Sequence, residues 1–565
     1  MPNRDLEQLA SEYWDAYLSI QPTQGTAIGD HRYGDRLEPI SRVEIAAALA
    51  RLAAIEARLD TFDTESLGDE DALTVSAMRH VVGADRAFLE ADPHAYTVDA
   101  MSGPQVAFLN VPSLQPLRDP GDGEAMLARW RAMGPWVDEL VTRLKEGLAE
   151  GQSPIAVGVG RVIHQLDALI ARPVEDWPLL DPLHAEHASW SDSDWSRFSD
   201  ELDAAVREGL RPAFARYRSF LADEALARAR DEEHVGIRNL PGGLELYGRL
   251  VPAHTTTTLN PQELHAVGLA EVARIDAEIE GLGGKVLGTR GLAATLAALR
   301  SDPKLYFETR DEVFATAERS LAAANAAIPA WFGRLPVTPC EVTSMLPHEE
   351  EDSTIAYYRE PAADGGRPGR YYINTSAPQT RPRYEAEALA FHESVPGHHL
   401  QIAIGQELTG LPTFRRHGDV TSFIEGWGLY SERLANQMGL YSGDLDRIGM
   451  VSYDAWRACR LVVDTGMHAF GWSRSRAIGF MTDHSALAVN NITNEVDRYL
   501  GWPGQALAYK VGQLEIRRLR ADAEAALGSR FDIRAFHDAL LGHGALPLST
   551  VREAVSRDLG IRVAA

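Results

Sequence analysis

The sequence predicts a mostly α-helical, two-lobed protein with one small β-sheet, and three observations carry that expectation. Long runs rich in Ala, Leu, Glu and Arg repeat their apolar residues at helical spacing through most of the chain. Between about 335 and 378 the texture changes to short β-branched and aromatic runs. The stretch Arg238-Asn239-Leu240-Pro241-Gly242-Gly243 is loose enough to divide a chain that, at 565 residues, can bury more than one core.

Taken in order, helices are expected over 5–20, 41–60, 70–91, 123–150, 195–230, 260–283 and 306–328, separated by Pro, Gly or Asp turns. The start at 260 is marked by Asn260-Pro261-Gln262-Glu263, with proline in the first helical turn. Three short runs, Val337–Val342, Ile355–Tyr358 and Arg370–Asn374, are broken by Asp364-Gly365-Gly366 and several prolines, which suggests a small sheet. After 380 the chain returns to helix. The expected division is a helical scaffold lobe, 1–240, and a second lobe, 241–565, that carries the chemistry.

Composition narrows the classes. With 45% hydrophobic and 24% charged residues the chain has an ordinary globular composition, and its formal charge of −26 disfavours nucleic acid and anionic membranes as partners. Its two cysteines, Cys340 and Cys459, leave no disulfide framework and no cysteine-rich zinc module. Neither a signal-peptide core nor a membrane span is visible, so a cytoplasmic protein is expected.

The densest chemistry lies in Phe391-His392-Glu393-Ser394-Val395-Pro396-Gly397-His398-His399-Leu400-Gln401. Burying imidazoles and a carboxylate is costly unless they are paired or bound to a metal. The familiar zinc-hydrolase pattern has two histidines four apart on one helix, with the glutamate after the first as general base. Here the separations from His392 are six and seven. On a straight helix, six is roughly 9 Å along the axis and about 120° off face, while seven is roughly 10.5 Å away. A kink or bulge at Pro396-Gly397 is expected to swing His398 or His399 back toward His392. Otherwise the two histidines only cap a helix end.

A catalytic zinc needs a third protein ligand, and Glu425 is the candidate. It leaves the apolar stripe of Phe423, Trp427, Tyr430 and Leu434 and shares a face with Leu429 and Glu432. Its spacing from Ser422 also fits a capping box. Downstream, Arg460 and Asp464 stand four apart, the spacing of a helix ion pair. Tyr509 and His468, taken singly, read as core residues with satisfied polar tips.

The His-Glu-x-x-Pro-Gly-His-His-Leu-Gln segment, Glu425-Gly426-Trp427-Gly428-Leu429-Tyr430, the run Arg460–His468, and Pro503-Gly504-Gln505-Ala506 with Tyr509 together resemble the bacterial domain of unknown function 885 family. That family is thought to be a distant relative of the gluzincin zinc metallopeptidases, the group of thermolysin, thimet-type oligopeptidases and carboxypeptidase Taq. The resemblance implies Zn2+ on His392, His398 and Glu425, with His399 as the alternative ligand and Glu393 as base. It also implies a metallopeptidase-like fold in which the sheet precedes the active helix and the lobes enclose the metal cleft. By the same resemblance, Tyr509 becomes a candidate for stabilising the oxyanion. An edge strand would align an extended peptide, which makes Tyr371–Thr375 the candidate strand, with Tyr372, Asn374 and Arg460 as substrate-binding residues.

The expected activity is therefore zinc-dependent hydrolysis of short peptides. Two alternatives stay open. The same site could cleave a non-peptide amide or ester, or the chain could be a helical binding protein whose structural metal is closed by four ligands.

Overall fold

The computed structural model describes residues 3–346, 350 and 354–562. The chain is mostly helical with a three-stranded sheet. Helices form where the apolar period and the end signals agree, including Arg4–Ile20, Arg42–Leu59, Asp69–Ala91 and Pro120–Ala149. Pro261–Val286 and Arg310–Ala327 each open on a full capping box, Asn260 with Glu263 and Thr309 with Glu312. The expected 195–230 helix is a composite: Asp192–Ala204 and Arg211–Phe220 continue through π-helical stretches at Ala205–Leu210 and Leu221–Ala225. Ala156–Ala171 is helical without having been expected, since Gly158 and Gly160 weaken its propensity. A side chain at 158 would meet the Val98 carbonyl oxygen at 2.6 Å, so close packing explains that glycine.

Two compact units emerge. One comprises Glu12–Ala57 and Asp85–Gly243, with a core around Trp130, Trp177, Phe214 and Leu166. The other comprises Met1–Ser11, Arg58–Ala84 and Leu244–Ala565. The expected lobe 1–240 thus covers all of the first unit but its last residues, together with two segments that group with the second.

The second unit holds the sheet and the late helices. Its strands are β1 (Cys340–Ser344), β2 (Ala356–Arg359) and β3 (Gly369–Ile373), in the order β1-β3-β2. β3 pairs in parallel with β1, Val342 opposite Tyr371, and antiparallel with β2, Tyr357 opposite Tyr372. This corrects one expectation. Tyr371–Thr375 begins in the central strand, whose two edges are already taken, so it offers no edge to a substrate backbone. The long helix Asp444–His468, buried almost throughout, is the axis of the unit. A Cβ on its Gly449 would sit 1.6 Å from the carbonyl oxygen of Tyr384, so only glycine lets it touch the helix Arg383–Glu393.

Candidate metal centre

The helix Arg383–Glu393 ends where Pro396 can no longer donate to it, and a second helix, His398–Glu407, begins just beyond. The expected kink is therefore a full break. Trp427, on the helix Thr421–Gln437, donates its indole N–H to the Pro396 carbonyl at 2.9 Å and ties the turn to that helix. The break turns His398 back onto His392, with ring centroids 4.6 Å apart and planes at 86°.

Glu425 completes the cluster. Its Oε2 lies 3.6 Å from His392 Nε2 and 3.5 Å from His398 Nε2, and one ligand atom from each residue falls within 4.8 Å of the others. A tetrahedron with zinc–ligand bonds of about 2.0–2.1 Å has edges of about 3.3–3.4 Å, and the two edges from Glu425 are close to that length. Glu425 Oε2 is buried with no hydrogen-bond partner among the described residues, an acceptor left open where a cation would bind. The space is kept clear by Gly428, where a Cβ would stand 2.8 Å from His392 Cε1 and 3.0 Å from His398 Cε1. Two residues before Gly428, Gly426 meets Gly512 of the helix Ala508–Leu527 backbone to backbone, which brings the late helix beside the cluster. Glu425 does not cap its helix: the N-cap is Val420, and Ser422 bonds to Thr256 instead.

The electrostatics match the geometry. Burial alone would raise the Glu425 carboxyl, but the imidazoles of His392 and His398 hold it well below its ordinary value. Burial would lower His392, yet Glu425 and Glu432 hold it up at about 9. Glu432 is the residue that sequence reasoning did not assign. It accepts from His392 Nδ1 at 2.8 Å, which leaves Nε2 facing Glu425, and Arg457 stands 3.7 Å behind it. Its signal was present, for Glu432 lies seven residues after Glu425 on the same helical face.

His399 is turned away. Its Nε2 donates to the Thr338 carbonyl at 3.0 Å and its Nδ1 accepts from the Tyr358 hydroxyl at 2.9 Å, so neither nitrogen is left for a metal. Burial lowers it to about 4, consistent with a neutral ring. Glu393 is half-buried at the end of the first helix, where its charge raises the already buried Tyr371 phenol further. Tyr509 is half-buried with its ring 4.1 Å from the Arg460 guanidinium; burial first, and then the charge of Glu425, raise its phenol.

Two other expectations are corrected. Arg460 and Asp464 do not pair: Arg460 binds Glu495 and Tyr499, while Asp464 accepts from Tyr247 and the Gly504 N–H. Asn374 is buried and spent internally, its amide on the Glu350 carbonyl and its oxygen on Ser376, so it has nothing to offer a substrate. Tyr372 stacks on Tyr357 at 4.8 Å with Arg359 over its ring, on the sheet face opposite Tyr371.

Fold and site together define a mostly helical protein with a small sheet and a His-His-Glu cluster suited to a divalent cation. The chain belongs to the family described as bacterial protein of unknown function (DUF885), whose model matches residues 22–555. No curated protein matches it. Among solved structures, it is similar to a candidate lipoprotein from Colwellia psychrerythraea, with 26% identity and a TM-score of 0.90 over 98% of this chain and 99% of that one. A candidate lipoprotein of unknown function from Shewanella oneidensis shares the fold at 17% identity, with a TM-score of 0.70 over 97% of this chain and 99% of that one. No helix among the described residues is long and apolar enough to cross a membrane.

Proposed function

We propose that this protein is a zinc-dependent hydrolase of short peptides, related in chemistry to the gluzincin metallopeptidases that its motifs resemble. One observation supports this above the others: His392, His398 and Glu425 converge near zinc-like spacing around a carboxylate oxygen that makes no hydrogen bond among the described residues. Zinc bound there would polarise the scissile carbonyl and lower the pKa of a water. His392 and His398 would hold the ion through Nε2, and the Glu432 contact to Nδ1 would fix the His392 tautomer. Glu393 takes the proton of the attacking water and passes it to the leaving amine as the C–N bond breaks. Tyr509 donates to the developing oxyanion.

Three protein ligands leave one position open for water, which favours catalysis over the structural-metal alternative. The residue that would close the site as a fourth ligand, His399, is held by Thr338 and Tyr358. Peptides against simple esters in a kinetic screen separate peptide hydrolysis from the remaining alternative. A cytoplasmic placement is part of the proposal; the candidate-lipoprotein description of the two neighbours is its rival, and recovery of the chain in a membrane pellet would favour the rival.

The test is Glu393→Gln. This variant keeps about one zinc per chain by elemental analysis while peptide hydrolysis falls by about two orders of magnitude or more. Near-normal turnover would remove Glu393 as the base.

A further inference from the structure

Next to Tyr509 lies a buried charge imbalance. The Arg460 side chain is 3% exposed and that of Arg498 9%, and both guanidiniums bond to the same Oε2 of Glu495, at 2.9 and 3.0 Å. Glu495 is the only carboxylate paired with either of them among the described residues. Asp464 bonds to neither of them; its oxygens accept from Tyr247 and the Gly504 N–H. Two positive charges therefore share one negative. A buried, uncompensated charge is costly and calls for a counter-ion.

The donors agree with the charges. Among the described residues Arg460 Nη1 and Arg498 Nε are buried and have no hydrogen-bond partner, although every other nitrogen of Arg460 is used, Nε by Tyr499 and Nη2 by Glu495. The half-buried indole of Trp456 lies 4.5 Å from the Arg460 guanidinium and Tyr509 4.1 Å from it, flat rings that fix its plane. Asp464, through the Gly504 N–H, pins the turn from which Gln505 accepts a bond from Arg498 Nη1 at 3.0 Å. The same stretch of chain carries Tyr509, whose phenol feels the charge of Glu425. The surplus charge thus sits on the Tyr509 side of the cluster.

We propose that Arg460 and Arg498 hold the free C-terminal carboxylate of the peptide, so that the protein trims peptides from their C-terminal end. This rests on the hydrolase reading above, in which water adds to the carbonyl and the C-terminal fragment leaves as the free amine. A planar carboxylate matches the guanidinium fork better than any internal peptide group. The charge excess of one admits one anion.

The experiment uses one peptide mixture made twice, as free acids and as C-terminal amides, with the zinc-loaded full chain. Products are read by mass, and binding is read by calorimetry on Glu393→Gln. The free acids bind and are cleaved about tenfold or more better than the amides. Arg498→Lys and Arg460→Gln abolish the preference for acids over amides, in binding and in cleavage; the second variant covers the case in which the first fails to fold. Equal binding of acids and amides overturns the carboxylate site. If zinc is bound but neither series is cleaved, the hydrolase reading fails, while a binding preference for acids in Glu393→Gln still upholds the carboxylate site.

Discussion

Two buried polar clusters share the helix Thr421–Gln437, and they differ in whether the chain completes them. Asp454 is fully buried and accepts from Lys510 at 2.6 Å on one oxygen and from Arg433 at 2.6 Å and Arg274 at 3.3 Å on the other. Lys510 passes on to Gln513 at 2.8 Å, which donates to the Leu429 carbonyl, and no side-chain atom of these residues is left buried and unpaired. The second cluster, His392, His398 and Glu425, is less enclosed at Glu425, and Glu425 Oε2 has no hydrogen-bond partner among the described residues. The first cluster holds helices together. The second is incomplete without something the chain does not supply, and incompleteness of that kind marks a binding site more sharply than burial does.

The contrast can be broken most directly at Glu425. Glu425→Gln is expected to lose its zinc by elemental analysis, and with it hydrolysis by about 100-fold or more, while remaining folded. Full zinc occupancy in that variant would make the cluster another internal network. Asp454→Ala should do the opposite. Stripping the carboxylate from Lys510 and Arg433 costs about 3–5 kcal/mol of stability in denaturant unfolding, with one zinc still bound below the transition. A loss under about 1 kcal/mol would show that the paired network is not what holds these helices.

Smaller effects sharpen the picture. Glu432→Gln keeps the shape but weakens the grip on His392 Nδ1, so zinc affinity falls about 10–100-fold in a competition with a chelator. An unchanged affinity would reduce Glu432 to a bystander. The smallest effect is in pH. Burial would raise the Asp454 carboxyl, but Lys510 and Arg433 hold it far below its ordinary value. A carboxyl depressed in the folded state contributes stability above its unfolded pKa of about 3.9 and loses it as the pH falls toward the folded value. The stability gap between the native chain and Asp454→Asn therefore stays level from about pH 5 to 8 and closes only in acid, as read from unfolding midpoints. A gap that changed across neutral pH would place the titration elsewhere.

Much of this was legible in the chain itself. Helical period, capping residues and proline positions fix local structure, so Arg42–Leu59, Asp69–Ala91 and Pro261–Val286 lie within a few residues of where the apolar pattern puts them. The change to β-branched and aromatic runs located the sheet for the same local reason. The His-Glu dipeptide, the paired histidines and Glu425 stood out as candidate ligands because few structural roles combine those residue types.

Choosing between His398 and His399 required the tertiary structure. The direction of the helix after Pro396 is set by Trp427 gripping the turn and by Thr338 and Tyr358 holding His399, partners 30 to 60 residues away. Strand order was equally hidden: Tyr371–Ile373 reads the same whether central or at an edge, and only pairing with β1 and β2 made it central. Arg460 and Asp464 have the spacing of a pair and separate partners, since Glu495 and Tyr247 come from other helices. Local order follows from neighbours in sequence. The open acceptor at Glu425 and the unsatisfied Nη1 of Arg460 are decided by which distant groups arrive beside them and which do not.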